Sequence, residues 1–323
     1  MRKSTPGMVE KISPETRDTV NDIEIRAAGL MRSGNHAIIH WIMNQHAGHP
    51  VCFLNNVEHG DCDPHTHYAQ RELVGIDSAI DVEELRNIRK RLLIYSYEDR
   101  AEFVSAETDF LASVFQPSFA ANREHYLLTS RYRFDVMIIR DPFNCLASRL
   151  EMLRERGPMG GISDPDLILV NWKRFARKAL SGIREPETNR IVILFNRWAD
   201  DVGYRQHLSG IFMGSFSDAS RDTLSSYGRG SSFDPSPLSA RIMLQQWRKL
   251  FSLERYGKIV DYWKRLRTPS PRDLKIKERW KLLADDKTFR RLMADDEVLD
   301  LSEALFGEIP GIRRFVKEVK AEQ

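Results

Sequence analysis

The sequence predicts an α/β protein of three layers. A central, mainly parallel sheet carries a P-loop-like strand-loop-helix, and a helical elaboration follows at the C-terminal end. Three observations predict this. Short apolar runs alternate with segments of helical periodicity. The first run feeds directly into a glycine loop and a helix. The last part of the chain shows helical patterns alone.

The 323 residues suffice for one large domain with a full core. With 41% hydrophobic and 29% charged residues, the chain reads as an ordinary globular protein. A net charge of +3 is too small to imply non-specific nucleic-acid binding, so any basic character belongs to a site. No apolar run approaches the roughly 20 residues that span a bilayer. The first residues, "MRKSTPGMVEKISPETRDTVND", hold no apolar segment and predict a loose leader over 1–22 without a signal peptide. Three cysteines, Cys52, Cys62 and Cys145, make no disulfide framework, and a cytoplasmic location is expected. Residues 23–323 are expected to form one domain, and the sequence leaves its oligomeric state open.

"IEIRAAG" (23–29) alternates into a short buried strand, and "HAIIHWIMNQ" after the loop carries apolar residues at helical spacing. Further strands are expected at 50–54, 91–97, 134–140 and 190–195, each a short apolar run beside a helical segment, as buried parallel strands require. Helices are expected at 142–156, 166–181, 200–209 and 238–252. The Ser-, Gly- and Asp-rich stretch 214–237 is too long for a simple connector.

"GLMRSGNHAIIHW" (29–41) has the two glycines of a Walker A loop, Gly29 and Gly34, but Asn35 and His36 stand where the lysine and the Ser/Thr belong. A glycine loop opening a helix still offers backbone N–H groups and the positive end of the helix dipole, which suit a phosphate-like anion. The lysine and hydroxyl serve Mg²⁺ and a γ-phosphate, so their replacement argues against magnesium-dependent NTP chemistry. Arg32 remains to lean over the anion.

"DVMIIRDPFNCLASRLEM" (135–152) is the second motif. A buried strand ends at Arg140, Asp141-Pro142 breaks it, and the next helix carries Ser148. A strand's C-terminal edge is where ligands bind in open α/β sheets. An Arg there with a nearby hydroxyl can clamp a second anion through charge-assisted hydrogen bonds.

Together the two motifs resemble the PAPS-dependent sulfotransferase superfamily, whose donor, 3′-phosphoadenosine 5′-phosphosulfate, is anionic at both ends. "MRSGNHA" resembles its 5′-phosphosulfate loop through Arg32, Ser33 and Gly34, and "IIRDPFNCLASR" its 3′-phosphate element through Arg140 and Ser148. The order, the spacing and the closing "LSEALFGEIPG" (301–311) are also similar. The resemblance implies that Arg32 and the backbone of Ser33, Gly34, Asn35, His36 and Ala37 hold the 5′-phosphosulfate, with no metal. Many members have Lys at the Arg32 position, and several have an aromatic residue where this chain has Ala37. The family's late basic glycine loop has a counterpart in Arg229-Gly230, and its adenine contact in Asn196 or Trp198; a solvated loop and a core tryptophan are the alternatives.

Sulfuryl transfer to a hydroxyl needs a general base. The resemblance implies one after the loop helix, where "LLIYSYEDR" (92–100) offers Tyr97, Glu98 and Asp99, with Glu98 the first choice; a surface Glu98 paired with Arg100 is the alternative. His36 is the second candidate, against a merely packing or capping role.

The stretch 51–70 gathers Cys52, His59, Cys62, His65 and His67, but without the spacing of a structural zinc site, and a loop beside an acceptor pocket is the better reading. The basic runs 86–91 and 263–281 are balanced by acidic residues elsewhere and read as solvated helix faces rather than a nucleic-acid surface, with an anionic acceptor such as a polysaccharide as the middle reading. The expected activity is sulfuryl transfer from PAPS to a hydroxyl of a carbohydrate or glycosylated small molecule. A magnesium-dependent kinase with a degenerate P-loop and a sulfotransferase-like protein without catalysis are the alternatives.

Overall fold

The computed structural model describes residues 19–100, 109–157, 162–186, 189–220 and 276–322. Six strands form one sheet: β1 (Thr19–Gly29), β2 (Val51–Val57), β3 (Tyr68–Val74), β4 (Lys90–Glu98), β5 (Thr129–Ile139) and β6 (Arg190–Leu194). Their order is β3-β2-β4-β1-β5-β6. Every neighbouring pair is parallel except β2 and β3, which run antiparallel. The chain moves to one side of β1 for β2, β3 and β4, then to the other for β5 and β6. The C-terminal end of β1 is thus the switch point where an open parallel sheet leaves its crevice.

Helices cover both faces. α1 (Asn35–Asn44) lies on one, with α7 (Phe195–Asp200) and α8 (Val202–Ile211). Its core joins Ile38, Ile39, Trp41 and Ile42 to Ile23, Ile25, Phe53, Leu92, Ile94, Val136, Ile138 and Trp198. The opposite core holds residues from α2 (Val82–Asn87), α3 (Phe110–Val114), α4 (Pro117–Leu127), α5 (Pro142–Arg156) and α6 (Pro165–Arg184). It also takes a 3₁₀ helix (Ile276–Leu283) and α9 (Lys287–Met293), α10 (Asp296–Phe306) and α11 (Ile312–Ala321). The result is the three-layer α/β architecture that the sequence predicts, with the helical C-terminal part on one face.

Period-two alternation decides what each strand brings to the switch point. Leu92 and Ile94 of β4 face the α1 core while Leu93, Tyr95 and Tyr97 face the other. Ser96 and Glu98 continue the α1-facing row. In β2 the same row is Val51, Phe53 and Asn55, and in β5 it is Phe134, Val136 and Ile138. Each row is apolar in the layer and polar at the C-terminal edge.

The strands run close to the expected spans, with β1 and β5 extended at their N-terminal ends. Phe195 opens α7 rather than closing β6. The expected helices at 142–156, 166–181 and 200–209 correspond to α5, α6 and α8. Asp141 caps α5 by accepting from the Asn144 N–H at 2.8 Å, with Pro142 in the first turn. The expected helix at 238–252 lies outside the described residues. β3 was not expected: the stretch read as a loop returns as an antiparallel edge strand. Among the described residues no helix is long and apolar enough to cross a membrane.

Candidate functional site

The loop from Leu30 to Gly34 leaves the centre of the sheet between Glu98, the register partner of Gly29 in β4, and the end of β5. Two residues adopt left-handed backbone conformations, Arg32 at φ 70° and Gly34 at φ 89°. A non-glycine residue there costs about 1–2 kcal/mol, so surrounding contacts must hold Arg32 in place. Gly34 is the N-cap of α1. A Cβ on it would lie 2.2 Å from the Phe195 ring, so the aromatic side chain packs against bare backbone.

Asp99 anchors the loop. It is fully buried and accepts the Met31 N–H at 2.5 Å, the Asn171 Nδ2 at 3.1 Å and the guanidinium of buried Arg149. Asn35, at the position of a Walker lysine, donates from Nδ2 to the Leu30 carbonyl at 3.1 Å and to Glu98 Oε1 at 3.0 Å. Its amide thus ties the loop to the end of β4, where a lysine would reach towards a phosphate.

The backbone donors start one residue later than expected. The Ser33 N–H turns back to the Leu30 carbonyl at 3.0 Å, and the first bond of the helix runs from Ile38 to Gly34. Helix geometry leaves the N–H groups of Gly34, Asn35, His36 and Ala37 without intrahelical acceptors, at the positive end of the α1 dipole. The Ser33 side chain is buried, with Oγ 3.7 Å from Cys145 Sγ.

The two motifs meet. Arg32 Nε donates to Ser148 Oγ at 2.9 Å. Arg140 Nη1 lies 3.4 Å from the Arg32 carbonyl, and its guanidinium carbon sits 5.0 Å from the centre of the Phe195 ring. The Arg140 carbonyl accepts from Trp172 Nε1 at 3.0 Å, which fixes the strand end. Burial lowers the Arg140 pKa and the adjacent Asp141 works against this; a guanidinium remains charged regardless. Two cations and a hydroxyl thus gather beside the helix N-terminus, a set of donors suited to anionic oxygen.

The base candidates lie on the α1 side of the sheet. Glu98 is buried and bonded to Asn35. Its backbone carbonyl takes the Arg100 N–H, and no ion pair with Arg100 forms among the described residues. His36 is half-buried, with Nε2 3.2 Å from Asn55 Oδ1.

No family model matches the chain, and no curated protein matches it in sequence. Among solved structures, the chain is similar to the mouse sulfotransferase SULT7A1 complexed with PAP, at 13% identity and a TM-score of 0.39, over 61% of this chain and 61% of that one. It is also similar to the sulfotransferase domain of the Synechococcus PCC 7002 olefin synthase, at 13% identity and a TM-score of 0.34, over 71% of this chain and 86% of that one. Both are sulfotransferases. The first likeness spans less than two thirds of the mouse protein's length.

The other expected residues fall elsewhere. Trp198 is a core residue, stacked on Phe195 at 5.8 Å and edge-on to Trp41 at 6.1 Å, with 3% of its surface exposed. Of the two readings open for Trp198, adenine contact and core, its ring fits the core one, being committed to packing. Asn196 pairs with Asp141, its Nδ2 2.8 Å from Asp141 Oδ2, and braces the start of α5. Arg229 and Gly230 lie outside the described residues.

Cys52 is a buried core residue whose thiol pKa is pushed up to about 12 by burial. Among the described residues no three His, Cys, Asp or Glu side chains are grouped to hold a metal ion. The basic run 86–91 is neutralised within the fold. Arg86 pairs with Asp63 at 2.5 Å, Arg89 and Arg91 pair with Asp22, and buried Lys90 donates to the Leu85 and Ile88 carbonyls at the end of α2.

Asn55, Ser96 and Phe195 were missed as site residues by the sequence reading, which expected only the backbone of Asn35 and offered Asp99 beside Glu98 as a base rather than as the loop's anchor. A polar side chain in the α1-facing row at a strand end is the signal that would have found Asn55 and Ser96.

Proposed function

We propose that this chain is a sulfotransferase that moves the sulfuryl group of PAPS to a hydroxyl of a carbohydrate or glycosylated small molecule, with residues 23–323 acting as one domain. The observation that carries the reading is the junction of Arg32, Ser148 and Arg140 beside the N-terminus of α1. It supports one nucleotide with an anion at each end, and the N–H groups of Gly34 to Ala37 fit the 5′ end without a Walker lysine or hydroxyl.

PAPS supplies an activated sulfuryl group whose leaving oxygen stays on adenosine 3′,5′-bisphosphate. In this reading Arg32 and the helix N-terminus stabilise charge that develops on the bridging oxygen. Arg140 and Ser148 hold the 3′-phosphate, and Ser148 exchanges its Arg32 bond for that ligand. Glu98 or His36 takes the proton of the attacking hydroxyl. The sulfuryl group carries less charge than a γ-phosphoryl, so backbone dipoles and one cation suit it.

The test is turnover. The full chain is incubated with PAPS and a panel of glycosides in EDTA, and bisphosphate and sulfated product are quantified. Equimolar formation of both supports the proposal. Nucleotide turnover only with ATP and Mg²⁺ would favour the kinase alternative, and bisphosphate binding without turnover on any acceptor would favour the non-catalytic one.

A further inference from the structure

We propose that Asn55 is a positioning residue that holds the His36 imidazole with its proton on Nε2, so that Nδ1 is the acceptor for the substrate hydroxyl's proton. The inference rests on the sulfotransferase reading above and chooses between its two base candidates.

A directed chain of hydrogen bonds carries it. The Asn56 N–H, which can only donate, points to Ser96 Oγ at 3.3 Å. Ser96 then donates its own proton to Asn55 Oδ1 at 3.1 Å. The other end of that amide, Nδ2, turns to Gln70 Oε1 at 3.5 Å, so Oδ1 is the end that faces His36. A carbonyl oxygen only accepts, and His36 Nε2 at 3.2 Å must therefore donate. Nδ1 is left with its lone pair.

The backbone is shaped for this chain. Asn56 has φ 55°, a left-handed conformation near the end of β2, at the residue whose N–H bonds to Ser96. Asn55 and Ser96 are buried, whereas His36 is half-buried in the first turn of α1, within the group of N–H donors. Glu98 is less suited, because Oε1 already accepts from Asn35. His40 on the same helix and Glu72 on β3 interact electrostatically with His36, and Glu98 of β4 bonds to the neighbouring Asn35.

In the step itself, the acceptor O–H proton moves to Nδ1 as its oxygen bonds to sulfur. The bond from sulfur to the bridging oxygen breaks, and that electron pair leaves on adenosine 3′,5′-bisphosphate. The proton on the imidazolium then passes to water.

The test is ¹⁵N-edited NMR of the histidines in the full chain, with His36 assigned by its loss in His36→Gln, alongside titration with adenosine 3′,5′-bisphosphate. The expected result is one dominant tautomer protonated at Nε2. It should be lost to a mixture in Asn55→Leu and retained in Asn55→Asp, with bisphosphate affinity unchanged in both. With PAPS and p-nitrophenyl β-D-glucoside as probe acceptor, Asn55→Leu should lower kcat with little change in KM for PAPS, and Asn55→Asp should rescue it. An Nδ1-protonated His36 in the unsubstituted chain, or an unchanged tautomer in Asn55→Leu, would overturn the proposal. Failure to bind bisphosphate would instead sink the sulfotransferase reading and leave the tautomer result standing.

Discussion

Arg32 Nε donates to Ser148 Oγ across 2.9 Å, which joins the loop after β1 to the helix after β5. The residues are 116 apart in the chain, and their contact brings the two sequence motifs together. A nucleotide that inserts its 3′-phosphate there would replace this bond with a charged one. Ser148→Ala should therefore weaken adenosine 3′,5′-bisphosphate by about 1 kcal/mol, and Arg140→Gln by about 2–3 kcal/mol, by calorimetry. Neither substitution should alter binding of the nucleotide that lacks the 3′-phosphate.

Asp99 holds three donors in a fully buried position. Asp99→Ala leaves the Arg149 charge buried without its carboxylate, and such losses cost about 3–5 kcal/mol. Chemical denaturation should show a loss of unfolding free energy of that size. A loss below 1 kcal/mol would mean that the loop has another anchor.

Gly34→Ala brings a Cβ to 2.2 Å from the Phe195 ring at φ 89°. The left-handed backbone alone costs about 1–2 kcal/mol, and the ring clash adds to it. Adding Phe195→Ala should relieve the clash but not the backbone term. Thermal unfolding of the single and double variants separates the two.

His46 is 2% exposed, and burial, with Arg91 and His49 nearby, holds its pKa down at about 4 against an ordinary 6.5. Between these values the unfolded chain binds the proton and the folded chain does not. Stability should therefore fall as pH drops from about 6.5 towards 4, by up to about 3 kcal/mol from this residue. His46→Gln should flatten that part of a pH–stability curve measured by denaturant titration.

The parallel core of the fold was legible because its strands are continuous apolar runs between helical segments, as at 91–97 and 134–140. β3 was hidden because "YAQRELV" is a half-exposed edge strand, without the apolar run that marks its neighbours. That Arg32, Arg140 and Ser148 come together was foreshadowed by local motifs, since Arg32 follows the end of β1, Arg140 follows the end of β5 and Ser148 lies on the next helix. The side-chain tethers of Asn35 and Asp99 were not, because they are tertiary: each links the loop region to a residue more than sixty positions away. Trp198 shows the limit of motif position, since a ring at the right place in the chain can still be consumed by packing against Phe195 and Trp41.

The most direct test of the two-ended anion site is calorimetric titration of the full chain, without metal, with adenosine 3′,5′-bisphosphate and with adenosine 5′-monophosphate. The account predicts that the 3′-phosphate contributes about 2–3 kcal/mol, roughly 30- to 150-fold in Kd, and that Arg140→Gln removes the difference. Equal affinity for the two nucleotides, or binding of either only when Mg²⁺ is added, would contradict it.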